Sequence, residues 1–123
     1  MRFLPPRPPR ERGSHAEDLA CRFLLRQGLR LIARNYRCRR GEIDLILHDA
    51  GNLVFVEVRY RRQDRYGSGL ESVDRNKQRR ISLCAAHYLQ RHPREAARPA
   101  RFDVVAVGPD GGIDWIRNAF YAI

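Results

Sequence analysis

Asp44 and Glu57 are the residues whose types and placement most clearly invite chemistry. Each is an acid inside an apolar, strand-like run, residues 42–48 and 53–60, where Ile, Leu, Val and Phe predominate. The turn-prone Asp49-Ala50-Gly51-Asn52 between the runs predicts a β-hairpin. With all four residues in the loop, His48 faces Leu53, Leu47 faces Val54, Ile46 faces Phe55, Asp44 faces Glu57 and Glu42 faces Arg59. Opposed side chains share a face of the sheet, so the two acids meet with Cβ atoms roughly 5 Å apart, which destabilises a sheet unless positive charge sits between them. A divalent cation supplies that charge most simply. The register decides the matter, because a loop one residue longer or shorter sends Glu57 to the other face. The opposite charges of Glu42 and Arg59 and the apolar pair Ile46 and Phe55 favour the register given.

Two carboxylates with a cation two residues beyond the second, Glu57 and then Arg59, suit a hard metal with oxygen ligands such as Mg²⁺ or Mn²⁺. Such an ion activates water and neutralises charge developing on a phosphate. The plainer alternative pairs Glu57 with a neighbouring Arg and Asp44 with a backbone donor. Other chemistries fit poorly: the chain has no GxSxG, no glycine-rich phosphate loop and no HExxH, and His15, His48, His87 and His92 are scattered. Cys21, Cys38 and Cys84 are odd in number and lack a CxxC pattern, which argues for reduced thiols rather than disulfides or zinc.

The elements that must position these groups fit one domain of 123 residues. Ser14 and Glu17 fit a capping box, and Ala16, Leu19, Ala20, Phe23 and Leu24 continue at helical spacing to Gly28, predicting a helix over 14–27. Glu17 then has two readings, a reach back to cap the helix or a turn toward a metal site as an outer ligand. Residues 29–37 read as a strand beside the hairpin. A second helix is predicted over 72–90, ending before His92-Pro93, with Ile81, Cys84, Ala85 and Tyr88 as its apolar stripe. Lys77 lies on that inward stripe, where its ammonium either snorkels to water or serves an anionic site. A basic linker over 93–100, a strand over 101–107, a turn over 108–112 and a last strand over 113–116 complete the chain, with Trp115 in the core. Asp103, in an apolar strand, is either a third acid near the site or a partner for Arg101.

The formal net charge is +10 and the isoelectric point near 10.7, pointing to a polyanionic partner, DNA first, with RNA left open. Only one of the 24 basic residues is a lysine, a bias that reflects genome composition as well as function. Arg39 and Arg40 in the turn before the hairpin, and Arg61, Arg62, Arg65 and Tyr66 in the polar loop after it, are the candidate backbone contacts. Residues 1–12, rich in Pro and Arg, read as a disordered basic arm ahead of a domain over 13–123. No run approaches the ~18 apolar residues of a membrane span and no secretory h-region opens the chain, so a cytoplasmic protein, monomer or homodimer, is expected.

Glu17 in a first helix, GEIDLI around Asp44, FVEVR around Glu57, Lys77 in a following helix and RFDVV around Asp103 together resemble the YraN-type bacterial family over about residues 13–120. That family is similar to restriction-endonuclease-like and Holliday-junction-resolvase-like nucleases. The resemblance implies an α/β PD-(D/E)XK fold with three layers, a central mixed sheet flanked by helices. It also implies Mg²⁺-dependent hydrolysis of DNA phosphodiester bonds, branched DNA among the candidates, with Asp44 and Glu57 as the metal-binding acids. The pattern departs at Arg59, where the motif carries Lys. A guanidinium keeps the positive charge, yet its fork geometry and pKa above ~12 make it a poor substitute for a compact ammonium. Lys77 is a candidate to supply the missing ammonium. A catalytically weak nucleic-acid-binding module and a basic protein-interaction domain are the alternatives.

Overall fold

The structure, a computed structural model, describes residues 9–61 and 73–123, with side chains from Ser14 onward. It is an α/β fold built on one five-stranded mixed sheet. Strands β1 (Arg30–Cys38), β2 (Gly41–Asp49), β3 (Asn52–Tyr60), β4 (Ala100–Val107) and β5 (Ile113–Phe120) lie in chain order across the sheet. All neighbours are antiparallel except β3 and β4, which run parallel. A parallel pair needs a crossover. Helix α2 (Arg75–Arg91) and the short α3 (Pro93–Ala96) lie in that connection, while α1 (Pro9–Arg26) precedes the sheet.

The alternation of β3 divides the core between two layers. Leu53 and Phe55 face Ile81, Cys84, Ala85 and Tyr88 of α2. Val54 and Val56 face Ala16, Ala20 and Leu24 of α1. Both faces are covered, which is why β3 reads as a continuous apolar run instead of a strict alternation. The apolar stripes expected of both helices face the core, with Leu19 and Phe23 of α1 partly buried, and Gly28, at φ +96, ends α1 as expected. There the Leu29 N–H bonds Leu24 O at 3.1 Å and the Gly28 N–H bonds Leu25 O at 3.0 Å, a Schellman cap.

The hairpin has the expected register: Ile46 pairs with Phe55, Leu47 with Val54 and His48 with Leu53. Its loop is shorter than four residues, because Asp49 also pairs with Asn52, leaving Ala50 and Gly51 at the tip with Ala50 at φ +56. Adding one pair preserves the parity. At the other end the ladder stops at Leu45 and Val56, so neither the expected pairing of Asp44 with Glu57 nor that of Glu42 with Arg59 is made as a ladder pair, and Asp44 and Glu57 meet through their side chains one step beyond its end. Glu42 pairs instead with Arg37 of β1.

Four further differences have local causes. Helix α1 begins at Pro9, a residue suited to a first helical position, so residues 9–12 belong to a helix and Ser14 lies inside it and caps nothing. Helix α2 begins later than residue 72, because Asp74 is its N-cap and accepts the Lys77 N–H at 2.8 Å. Part of the expected 93–100 linker is the single turn α3, opened by Pro93. Strand β5 continues past residue 116 to Phe120, whose ring stacks on Phe102 with centroids 4.9 Å apart.

Candidate metal centre

The site forms where β2 and β3 part company. Ile43 and Ile46 both face α2, whereas Leu45 and Leu47 face α1, so β2 loses its alternation around Asp44. Asn35 of β1, at φ +51, marks the irregularity in the neighbouring strand. With the ladder ended, the Val58 N–H donates to Asp44 Oδ2 at 2.8 Å in place of a strand carbonyl. Gly41 brings the start of β2 close against α2: a Cβ there would lie 3.3 Å from the Arg80 Cβ. The cleft left between them, about 220 Å³, is lined by Glu42, Asp44 and Glu57 together with Arg40, Lys77 and Arg80.

Four carboxylates converge. Glu17, reaching from α1, Glu42 and Asp44 each offer an oxygen within 4.8 Å of the others. The Asn35 amide donates to Glu17 Oε1 at 2.8 Å and to Glu42 Oε1 at 2.9 Å, clamping two of the three. Asp44 also hydrogen-bonds Glu57, and burial, reinforced by that neighbouring carboxylate, pushes Asp44 up to about 8. Burial raises Glu17 as well, partly offset by the Asn35 amide. Glu57 is 6% exposed and pairs with Lys77, whose Nζ lies 3.2 Å from Oε1. An all-oxygen donor set from three clustered carboxylates fits a hard divalent cation such as Mg²⁺ or Mn²⁺.

Of the residues singled out in the sequence, Asp44, Glu57, Lys77, Arg40 and Glu17 are brought to this centre. Arg59 is half-buried on β3 opposite Ala106, and among the described residues the cations lining the cleft are Arg40, Lys77 and Arg80. Arg39 lies beside Arg40 in an adjoining groove. Arg61 turns toward β5, its Nη1 2.8 Å from Asp114 Oδ2. Arg62, Arg65 and Tyr66 lie outside the described residues. Asp103 is fully buried away from the cleft, accepting from Arg101 Nε at 3.0 Å, Trp115 Nε1 at 2.9 Å and the Asn118 N–H at 2.9 Å. It is the partner of Arg101 and part of the sheet structure. Trp115 is half-buried against the α1 core. Sequence reasoning left Glu42 out of the metal set, assigning it to Arg59. Its place in GEIDLI, two residues before Asp44, was the available signal.

The sequence profile of the uncharacterised protein family UPF0102 matches residues 16–107. The chain belongs to the UPF0102 family. Among its relatives, a UPF0102 protein of Nitrosococcus oceani is 48% identical over 120 residues, covering 95% of this chain and 97% of the relative. One from Pseudomonas paraeruginosa is 49% identical over 118 residues, 92% of this chain and 94% of the relative. Another, from Alcanivorax borkumensis, is 50% identical over 114 residues, 89% and 91% of the two chains. The UPF0102 match runs from the buried face of α1 to the end of β4, and so contains every residue of the carboxylate centre together with Lys77. No helix among the described residues is long and apolar enough to cross a membrane.

Proposed function

We propose that this protein is a divalent-cation-dependent nuclease of the restriction-endonuclease-like, PD-(D/E)XK type, hydrolysing DNA phosphodiester bonds. The observation that carries the reading is the juxtaposition of Asp44 and Glu57: a half-buried carboxyl hydrogen-bonded to a buried one, with Glu17 and Glu42 alongside, calls for a proton or a cation between them. Asp44, Glu17 and Glu42 would hold the ion, with Glu57 beside them. A bound Mg²⁺ or Mn²⁺ supplies Lewis acidity toward a phosphate oxygen and a lowered pKa for coordinated water. Lys77 provides the compact ammonium that Arg59 does not, held at the cleft by Glu57. From there it orients water or stabilises charge on the phosphate. Arg40 and Arg80 on the cleft wall place guanidinium groups where they would grip the backbone on either side of the scissile bond. The Asn35 clamp sets the directions of Glu17 and Glu42 before any ion arrives.

The test is incubation with linear, flapped and four-way-junction DNAs in Mg²⁺, in Mn²⁺ and in chelator. Cleavage that depends on the ion and disappears in Asp44→Asn is expected. Absence of cleavage on every substrate, with DNA binding retained, would leave a nucleic-acid-binding module on this fold.

A further inference from the structure

Beside the acidic cleft lies a second, wider groove of opposite character. Its volume is about 510 Å³, and it is lined by Arg39, Arg40, Asn76, Arg79, Arg80 and Leu83. One wall is the outer face of α2, where positions 76, 79, 80 and 83 recur at helical spacing. The other is the turn between β1 and β2. That turn is preformed. Cys38 Sγ accepts the Arg40 N–H at 3.4 Å, and Cys84 of α2 donates its thiol toward Tyr36 O and Gly41 O, each at 3.7 Å, fastening the turn to the helix. Arg40 and Arg80 line both hollows, so the groove and the carboxylate centre adjoin at these two side chains.

The four guanidinium groups share one property. None is ion-paired with a carboxylate among the described residues, a condition that other arginines such as Arg30, Arg75 and Arg94 share; what sets these four apart is that they line one groove. Four unneutralised guanidinium groups around one groove repel one another, and their natural counter-charge is a run of phosphates. Leu83 adds an apolar surface, 40% exposed, within this otherwise polar lining. A duplex presents phosphates but hides its base faces. A single strand offers both, with bases free to lie against guanidinium planes and an apolar side chain.

We infer that this groove is a binding track for a single-stranded nucleic-acid segment, which it leads into the acidic cleft. The inference rests on the reading that the cleft faces a nucleic acid, and not on cleavage. It makes the substrate one with a single-stranded portion, such as a flap or an unpaired arm, whose phosphates pass Arg39 and Arg79 before reaching Arg40 and Arg80.

The test uses fluorescence anisotropy with a labelled single-stranded oligonucleotide of mixed sequence and its duplex, in chelator, over a range of salt. Arg39→Ala/Arg79→Ala removes two exposed guanidinium groups that line the groove alone and spares the cleft. The single strand should bind wild type more tightly than the duplex does. Its slope of log affinity against log salt should fall by about 1.4 in the double variant, at roughly 0.7 for each phosphate no longer neutralised. Leu83→Ala should weaken the single strand about threefold or more and leave the duplex unchanged. Calorimetry with Mn²⁺ should give the same affinity in wild type and all these variants. An unchanged salt slope would overturn the track, as would duplex binding equal to single-strand binding with Leu83→Ala silent. Polyglutamate competing as well as unlabelled oligonucleotide would assign the groove to an acidic protein instead. Failure of the nuclease reading looks different: no substrate is cleaved while the groove variants still lose single-strand affinity.

Discussion

Lys77 Nζ stands 3.2 Å from Glu57 Oε1, so that a helix and a central strand are joined by an ion pair at the mouth of the acidic cleft. One partner is buried and the other a third exposed, which leaves the ammonium within reach of a ligand. Lys77→Ala is expected to reduce cleavage by about 10²-fold or more, the scale on which a preorganised electrostatic group acts. Arg59→Lys should preserve or raise the rate. Single-turnover assays in Mn²⁺ compare the two, and a rate lost in Arg59→Lys but kept in Lys77→Ala would reverse the roles assigned to these residues.

Calorimetry addresses the proposed metal site. Asp44→Asn retains an oxygen to accept the Val58 N–H, now 2.8 Å from Oδ2, but removes the charge. Mn²⁺ affinity should drop at least tenfold, and equal affinity in the two proteins would end the metal reading. Asn35→Gly tolerates the φ of +51 while deleting the amide shared by Glu17 and Glu42. Loss of a partner that orients ligands costs about 10- to 100-fold in metal affinity, so an intermediate loss is expected there.

Stability of the metal-free protein should depend on pH through Asp44. Its folded pKa of about 8 exceeds the unfolded value near 3.8, so between these values the folded protein holds a proton that the unfolded chain releases. The stabilisation is fully present below the unfolded pKa and is lost as pH rises through the folded one. Asp44→Asn has no such proton to lose. Melting curves in chelator between pH 5 and pH 8.5 should therefore show the variant gaining on wild type by several degrees, at roughly 4 °C or more per kcal/mol. A difference that stays constant over this range would mean that Asp44 is ionised throughout.

Asp103 supplies the contrast between a structural acid and a site acid. Its two oxygens are taken by Arg101, Trp115 and the Asn118 backbone, with no exposure to solvent. Asp103→Asn leaves Arg101 with Asp49 as its one carboxylate partner and sets an amide NH2 against donors that Asp103 now accepts from, and should cost about 3 kcal/mol in urea denaturation. Mn²⁺ affinity in the folded variant should match wild type.

Much of the fold was legible along the chain. Five strands, the apolar stripes of α1 and α2 and the parity of the hairpin follow from local periodicity, which repeats over a few residues and is recorded in side-chain type. Boundaries were read less well, because they depend on single capping contacts: Pro9 extends α1, and Asp74 rather than Ser72 begins α2. The length of β5 depends on Phe120 reaching Phe102, an encounter between strands that neither segment announces.

The sequence alone placed Asp44 and Glu57 in one neighbourhood, because one hairpin contains both and its register counts on to them from Leu45 and Val56, the last ladder pair. Only the tertiary structure decided the rest of the centre. Glu17 arrives from a helix packed on the opposite face from Lys77, and Glu42 turns toward β1 because the β2–β3 ladder ends at Leu45 and Val56. Where a ladder ends, and which way a helix points its first turns over a sheet, are set by packing among segments far apart in the chain. Residue spacing cannot encode those distances, so the presence of Lys77 beside Glu57 at the cleft is a property of the assembled layers.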